Sequence, residues 1–204
     1  MNKPLTGRLT PVAAALGLLA ALVVALPNAA LAQGWTGNVN ALVGAKELDK
    51  NDWEPLESQD EVGILVDFKR AGWPVSIAVD FLRSDAKDTM IDPASGLAAT
   101  IEGETQEFDV GIRKIWDRSA KARPYIGGGL ALISAEISAE VLGVRVSAKD
   151  DAQGAWIGGG VYWTLGKAFN LGFDVRYSQA DVKFLGVDGD AGGTHAGLLL
   201  GFHW

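Results

Sequence analysis

The sequence predicts an all-β protein, an eight-stranded antiparallel up-and-down transmembrane β-barrel. Three observations carry this. Apolar residues past position 33 recur with a period of two, the mark of strands with two different faces. The connections between these strands are short and long by turns. Aromatic residues collect at one end of the strands, on the side of the short connections.

Composition narrows the field around that reading. Of 204 residues 48% are hydrophobic, 21% are charged and 26 are glycine, which fits neither disorder nor a bundle of membrane helices. Cys is absent, so disulfides, thiolate metal sites and a Cys nucleophile are excluded. Met1 to Thr10 carries Lys3 and Arg8, Pro11 to Leu26 is an Ala/Leu/Val run, and Ala30-Leu31-Ala32 forms an A-x-A cleavage site. Residues 1–32 are therefore read as a secretory signal peptide and residues 33–204 as one barrel domain. A membrane anchor is the competing reading; the small-residue content, Pro27-Asn28 and the lack of a basic stop signal weigh against it. Without Lys3 and Arg8 the remaining 16 basic residues face 25 acidic ones, a net charge of −9, which disfavours nucleic acid as a partner.

The strands follow in order. Trp35 to Lys46 alternates Val39, Ala41 and Val43 with Thr36, Asn38 and Asn40. Val62, Ile64, Val66 and Phe68 oppose Gly63, Leu65, Asp67 and Lys69. Val75, Ile77, Val79 and Phe81 oppose Ser76, Ala78, Asp80 and Leu82, and Phe108, Val110 and Ile112 alternate with Asp109, Gly111 and Arg113. Residues 124–134 form a strand whose glycines leave its faces unassigned. Ala155 to Leu165 sets Ile157, Val161, Trp163 and Leu165 on one face. Phe169, Leu171, Phe173, Val175 and Tyr177 oppose Asn170, Gly172, Asp174, Arg176 and Ser178. The last strand sets Ala196, Leu198, Leu200, Phe202 and Trp204 against His195, Gly197, Leu199, Gly201 and His203. An even count lets the sheet close with both ends of the chain on one rim.

Residues 71–73, 117–123 and 166–168 are short turns. Residues 47–60, 84–106, 135–153 and 179–193 are long and polar, and their remaining alternation predicts hairpins turning near Leu142-Gly143, Pro93 to Gly96 and Asp188-Gly189. The uniformly apolar face suits hydrocarbon. The other, with Asp67, Lys69, Asp80, Asp109, Arg113, Asp174 and Arg176 among glycines, suits a lumen only wide enough for side chains. Trp35, Trp73, Trp116, Trp163, Phe169 and Trp204, with Tyr125, are expected to form an interfacial girdle on the periplasmic rim. Lys114 breaks the apolar face near that rim, where a charge costs about 0–1 kcal/mol.

At these residues the chain resembles the small eight-stranded outer-membrane barrels of the OmpA-transmembrane, OmpX and opacity-protein type, along its full mature length. The resemblance rests on Gly127-Gly128-Gly129, the segment Gly158 to Trp163, Phe173-Asp174-Val175-Arg176-Tyr177 and the terminal Gly201-Phe202-His203-Trp204. It implies a salt-bridged lumen, an outer-membrane location in a Gram-negative envelope, and a C-terminal signal, Phe202 with Trp204, read by the barrel-assembly machinery.

Function is less legible. The expected role is envelope structure or surface interaction through the long loops, with outer-membrane lipid and lipopolysaccharide around a monomeric barrel, and with a surface ligand at the loops. The competing reading is a narrow channel for small solutes or ions through the charged lumen; a soluble carrier of lipocalin type is more distant. No enzyme, cofactor or metal is expected. His195 and Ser178 lie close enough in the pattern to consider acyl chemistry, but the His-x-Ser motif of barrel deacylases is replaced by His195-Ala196-Gly197. Asp49, Asp52, Glu54, Glu57, Asp60 and Glu61 crowd the first loop, and Asp181, Asp188 and Asp190 the last. None has EF-hand spacing, and they read as solvated surface. With no periplasmic domain after Trp204, a peptidoglycan tether is not expected.

Overall fold

The computed structural model describes residues 34–91, 96–116, 120–184 and 187–204; the expected signal peptide and the predicted turn at Pro93 lie outside them. Ten strands form among the described residues: β1 (Trp35–Glu47), β2 (Ser58–Arg70), β3 (Ser76–Ile91), β4 (Ala98–Ile115), β5 (Ala122–Val141), β6 (Val144–Leu165), β7 (Phe169–Gln179), β8 (Asp181–Phe184), β9 (Val187–Asp190) and β10 (Gly193–His203). Eight close an antiparallel barrel in the order β1-β10-β7-β6-β5-β4-β3-β2, and β8 with β9 makes a separate hairpin. No described helix is long and apolar enough to cross a membrane, and the outward strand faces are apolar instead.

Closure follows from the alternation. With period two, every strand offers one apolar face, and the registers place those faces on the outside together: Val66 opposite Val79, Val79 opposite Val110, Val175 opposite Ala196. The strand whose phase its glycines hide points Ile126, Leu130 and Leu132 outward. Tyr125, Ala131 and Ile133 point inward and are buried. Tyr125 thus leaves the expected girdle: it stacks on Tyr162 at 4.4 Å inside the barrel.

The wall is not level. β1, β2, β7 and β10 stop at Glu47, Ser58, Gln179 and Gly193, while β3 to β6 run on as a four-stranded blade. The β5–β6 hairpin turns at Leu142 and Gly143, both with positive φ. The two loops of the low side fold inward over the mouth. In the first, Asp49 caps a single turn of helix, α1 (Lys50–Trp53), by accepting from the Asn51 N–H at 2.8 Å. The second is the β8–β9 hairpin; Asp188 and Gly189, expected at its turn, instead pair with Lys183 and Val182 within it. Trp53, Leu48, Val182 and Phe184 pack on Ile133, Ala135, Ile137 and Ala152 of the blade, so an apolar lid seals the lumen. The lid is tied across by Trp53 Nε1 donating to the Asp190 carbonyl at 2.7 Å and by the Asp190 N–H donating to Asp52 at 3.0 Å.

Candidate functional site: the sealed lumen

Lumen-facing positions on β1 to β5 and β7 carry the charges, and leucines from β1, β2, β3 and β10 (Leu42, Leu65, Leu82 and Leu199) lie buried beside them. The sequence reading of this face as polar missed that apolar layer, although Leu65, Leu82 and Leu199 share its parity.

Arg176 is the centre of the network. Its Nε donates to Asp174 at 2.8 Å, and its Nη1 reaches Asp109 at 2.9 Å and Asp80 at 3.1 Å. Arg113 donates from Nη2 to the same Asp80 oxygen at 2.6 Å and lies 3.7 Å from Asp67. Asp80 therefore bridges the two guanidinium groups. Asp67 accepts from Asn38 at 2.8 Å, and Tyr125 donates its hydroxyl proton to Asp174. Arg113 sits 5.2 Å from the Tyr125 ring and Arg176 5.2 Å from the Trp156 ring. Glycines clear the room for this: a Cβ on Gly158 would come within 2.6 Å of the Arg176 Cβ, and one on Gly127 within 3.0 Å of the Trp156 ring. Lys69 stands apart at the short-turn rim, donating to the Trp73 carbonyl at 2.9 Å.

Toward the lid lies a second group, most of it outside the expected site. Lys46 donates to the Ala191 carbonyl at 2.8 Å and to Thr105 at 3.2 Å, and pairs with Glu107 at 3.4 Å. His195 places Nδ1 2.6 Å from Glu61 and Nε2 3.0 Å from the Ser178 hydroxyl. Glu61, read as solvated loop, is thus a buried lumen residue, because its strand parity continues one step past the apolar run. The parity rule, carried past the apolar run, would have found Glu61, Lys46 and Glu107. A serine, an imidazole and a carboxylate in line is the geometry of acyl transfer. Here the Ser178 hydroxyl also donates to Glu107 at 3.0 Å, and all four side chains are buried beneath the lid. The arrangement pairs most of these buried polar groups, while Glu61 Oε1 and Glu107 Oε1 stay buried without a hydrogen-bond partner.

At the short-turn rim Trp35 packs on Trp73 at 5.6 Å and Phe169 on Phe202 at 4.6 Å, while Trp116 and Trp163 point outward, half exposed. The Trp204 backbone exchanges two hydrogen bonds with Gly37, both 3.1 Å. Lys114 donates to the Pro74 carbonyl at 2.9 Å, which satisfies the cation that breaks the outer face near this rim. His203 lies at the same end, 2.9 Å from Asn170. No cluster of three or more His, Asp or Glu able to hold a metal ion occurs among the described residues.

No family model and no curated protein matches the chain. Solved structures do. A major outer membrane protein from Thermus thermophilus superposes with a TM-score of 0.56 at 9% identity, covering 83% of this chain and 98% of that one. Ail, the attachment invasion locus protein of Yersinia pestis, solved with the heparin analogue sucrose octasulfate, gives 0.53 at 11% identity, over 83% and 99% of the two chains. Neisserial surface protein A gives 0.47 at 16%, over 83% and 95%. At such identities the likeness is one of architecture, and the chain has the fold of the small outer-membrane β-barrels.

Proposed function

We propose that the chain resides in the outer membrane as a monomeric barrel, delivered through a cleaved signal peptide, and serves surface interaction through its extracellular blade. One observation carries this reading: β3 to β6 continue as a hydrogen-bonded sheet beyond the point where their neighbours stop. The β2–β3 ladder ends at Asp60 with Asp85, and the β6–β7 ladder at Ala155 with Gln179. Above those pairs two strand edges lie outside the barrel ladders, the β6 edge met near Asp150 by β8 through the Lys183 N–H, and natural proteins shorten or cover such edges unless they are used. The blade's outer face is charged and ordered, with Arg83 2.7 Å from Glu104 and Arg145 3.0 Å from Glu102. The lumen supports the same reading, because its charges are spent on one another. The likeness to an attachment protein adds the fold alone.

The test compares cells displaying the intact chain with cells displaying a variant in which residues 86–101 and 136–149 are replaced by short turns, both verified by a heat-dependent gel shift. Adhesion to protein-coated glass is expected from the first and lost in the second. Equal adhesion, or none from either, overturns the reading.

A further inference from the structure

Side chains cover the outer wall of the barrel except where glycine takes an outward position. Among the described barrel strands three glycines do so: Gly37, Gly128 and Gly159. The Trp204 ring covers the first, since a Cβ on Gly37 would come within 2.5 Å of it. At Gly128 and Gly159 the nearest atoms to such a Cβ belong only to the paired strand, β6 and β5 respectively. Gly128 stands between Ile112 and Ile157, and Gly159 between Ile126 and Val175. The missing side chains leave two depressions in the wall, of 320 Å³ beside Gly128 and 350 Å³ beside Gly159. Ile126 and Ile157 line both, so the two adjoin.

The first depression has a cation at its short-turn end. Lys114 lines it, opposite Ile126 in the β4–β5 ladder and two residues from Trp116. The Pro74 carbonyl accepts one of the three ammonium N–H donors at 2.9 Å and brings no negative charge. No carboxylate among the described residues pairs with Lys114. Trp116, and Trp73 next to Pro74 in the chain, are 46% and 41% exposed, as indoles at headgroup level are. The ammonium therefore stands at the membrane interface, and the depression leads from it along Ile112, Ile126 and Ile157 toward the bilayer centre.

We infer that Lys114 and the adjoining depressions at Gly128 and Gly159 bind an anionic glycerophospholipid of the leaflet at the short-turn rim. The phosphate meets the Lys114 ammonium, and an acyl chain lies in the glycine depressions. Acyl carbon there regains the dispersion contacts that a wall lacking side chains forfeits. The ammonium and phosphate form a charge-assisted hydrogen bond at the edge of a low-dielectric medium. A lipid of the opposite leaflet would carry its phosphate at the loop rim, the height of the wall away from Lys114. The inference rests on membrane residence of the barrel and not on adhesion by the blade.

Native mass spectrometry of the full chain, refolded in detergent and verified by the heat-dependent gel shift, provides the test. The chain is titrated with dioleoyl phosphatidylglycerol and with dioleoyl phosphatidylcholine, whose identical chains isolate the headgroup. The wild type is expected to bind the anionic lipid about fivefold more tightly, the worth of one cation at a membrane surface. Lys114→Gln should abolish this preference and Lys114→Arg should keep it. Gly128→Leu, or Gly128→Ala should the larger side chain prevent folding, should lose most of the binding of both lipids. Equal binding of the two lipids by the wild type, a preference that survives Lys114→Gln, or binding indifferent to residue 128 overturns the inference. So does a heat-shifting barrel that retains neither lipid, while adhesion of displaying cells is read separately from all of these.

Discussion

Arg176 holds three carboxylates from three strands, and all of these groups are buried. Removing one member of a buried charge set leaves the others uncompensated, at a cost of about 3–5 kcal/mol. Arg176→Ala should therefore lower the unfolding free energy by roughly that amount, read by urea titration of the barrel refolded in lipid vesicles. Adding Asp109→Asn should recover part of the loss, since it removes one stranded charge; an unchanged midpoint in the single variant would show that Arg176 bears no such load. Which residues face the lumen was legible, because alternation fixes parity for Asp80, Asp109, Asp174 and Arg176. Which of them meet was not. Asp80 bridging Arg113 and Arg176 depends on the stagger between strands, which hydrophobic pattern does not encode. Tyr125 was misplaced for a related reason: the glycines after it carry no side chain to mark a face, so an aromatic near the rim was indistinguishable from a girdle residue.

At the scale of elements, the long connections divide into two kinds that composition alone did not separate. Those after β3 and β5 lengthen the wall, whereas those after β1 and β7 fold across the mouth. Trp53 decides the difference. In sequence it is one aromatic amid six acids, and in space it is buried against the blade. Such a lid, made of one helical turn and one hairpin, draws its stability from that packing and belongs to the part of the molecule that opens first. Trp53→Ala should raise the rate of proteinase K cleavage within residues 48–57 and 180–192 at least tenfold while the heat-dependent gel shift of the barrel remains. Cleavage at the wild-type rate would mean that the Lys46–Ala191 bond and the Asp52–Asp190 tie hold the lid without it.

For the molecule as a whole, the eight-stranded, lipid-facing barrel was readable because membrane solvation inverts the usual rule. Apolar faces turn outward, every backbone group must pair within the sheet, and the rim aromatics mark the interface. The state of the lumen was not readable, since a charged interior serves a pore and a plug equally well. The two arginines are paired with their carboxylates, the leucine layer lies buried beside them, and the lid packs across the mouth. A planar bilayer holding the verified barrel should consequently show no discrete conductance steps at neutral pH. Steps that change on neutralising Asp109 or Arg176 would return the narrow-channel reading.

The seam between β1 and β10 joins Asn38 to His203, while the other barrel ladders join strands that follow one another along the chain or are separated only by the small β8–β9 hairpin. Most of the sheet can grow hairpin by hairpin, but the seam must wait for nearly all of the polypeptide, a contact of the longest range the chain offers. Before it forms, two open strand edges cannot rest in hydrocarbon. Insertion and closure are therefore one event in time, and the last strand to be made is the one that ends the search.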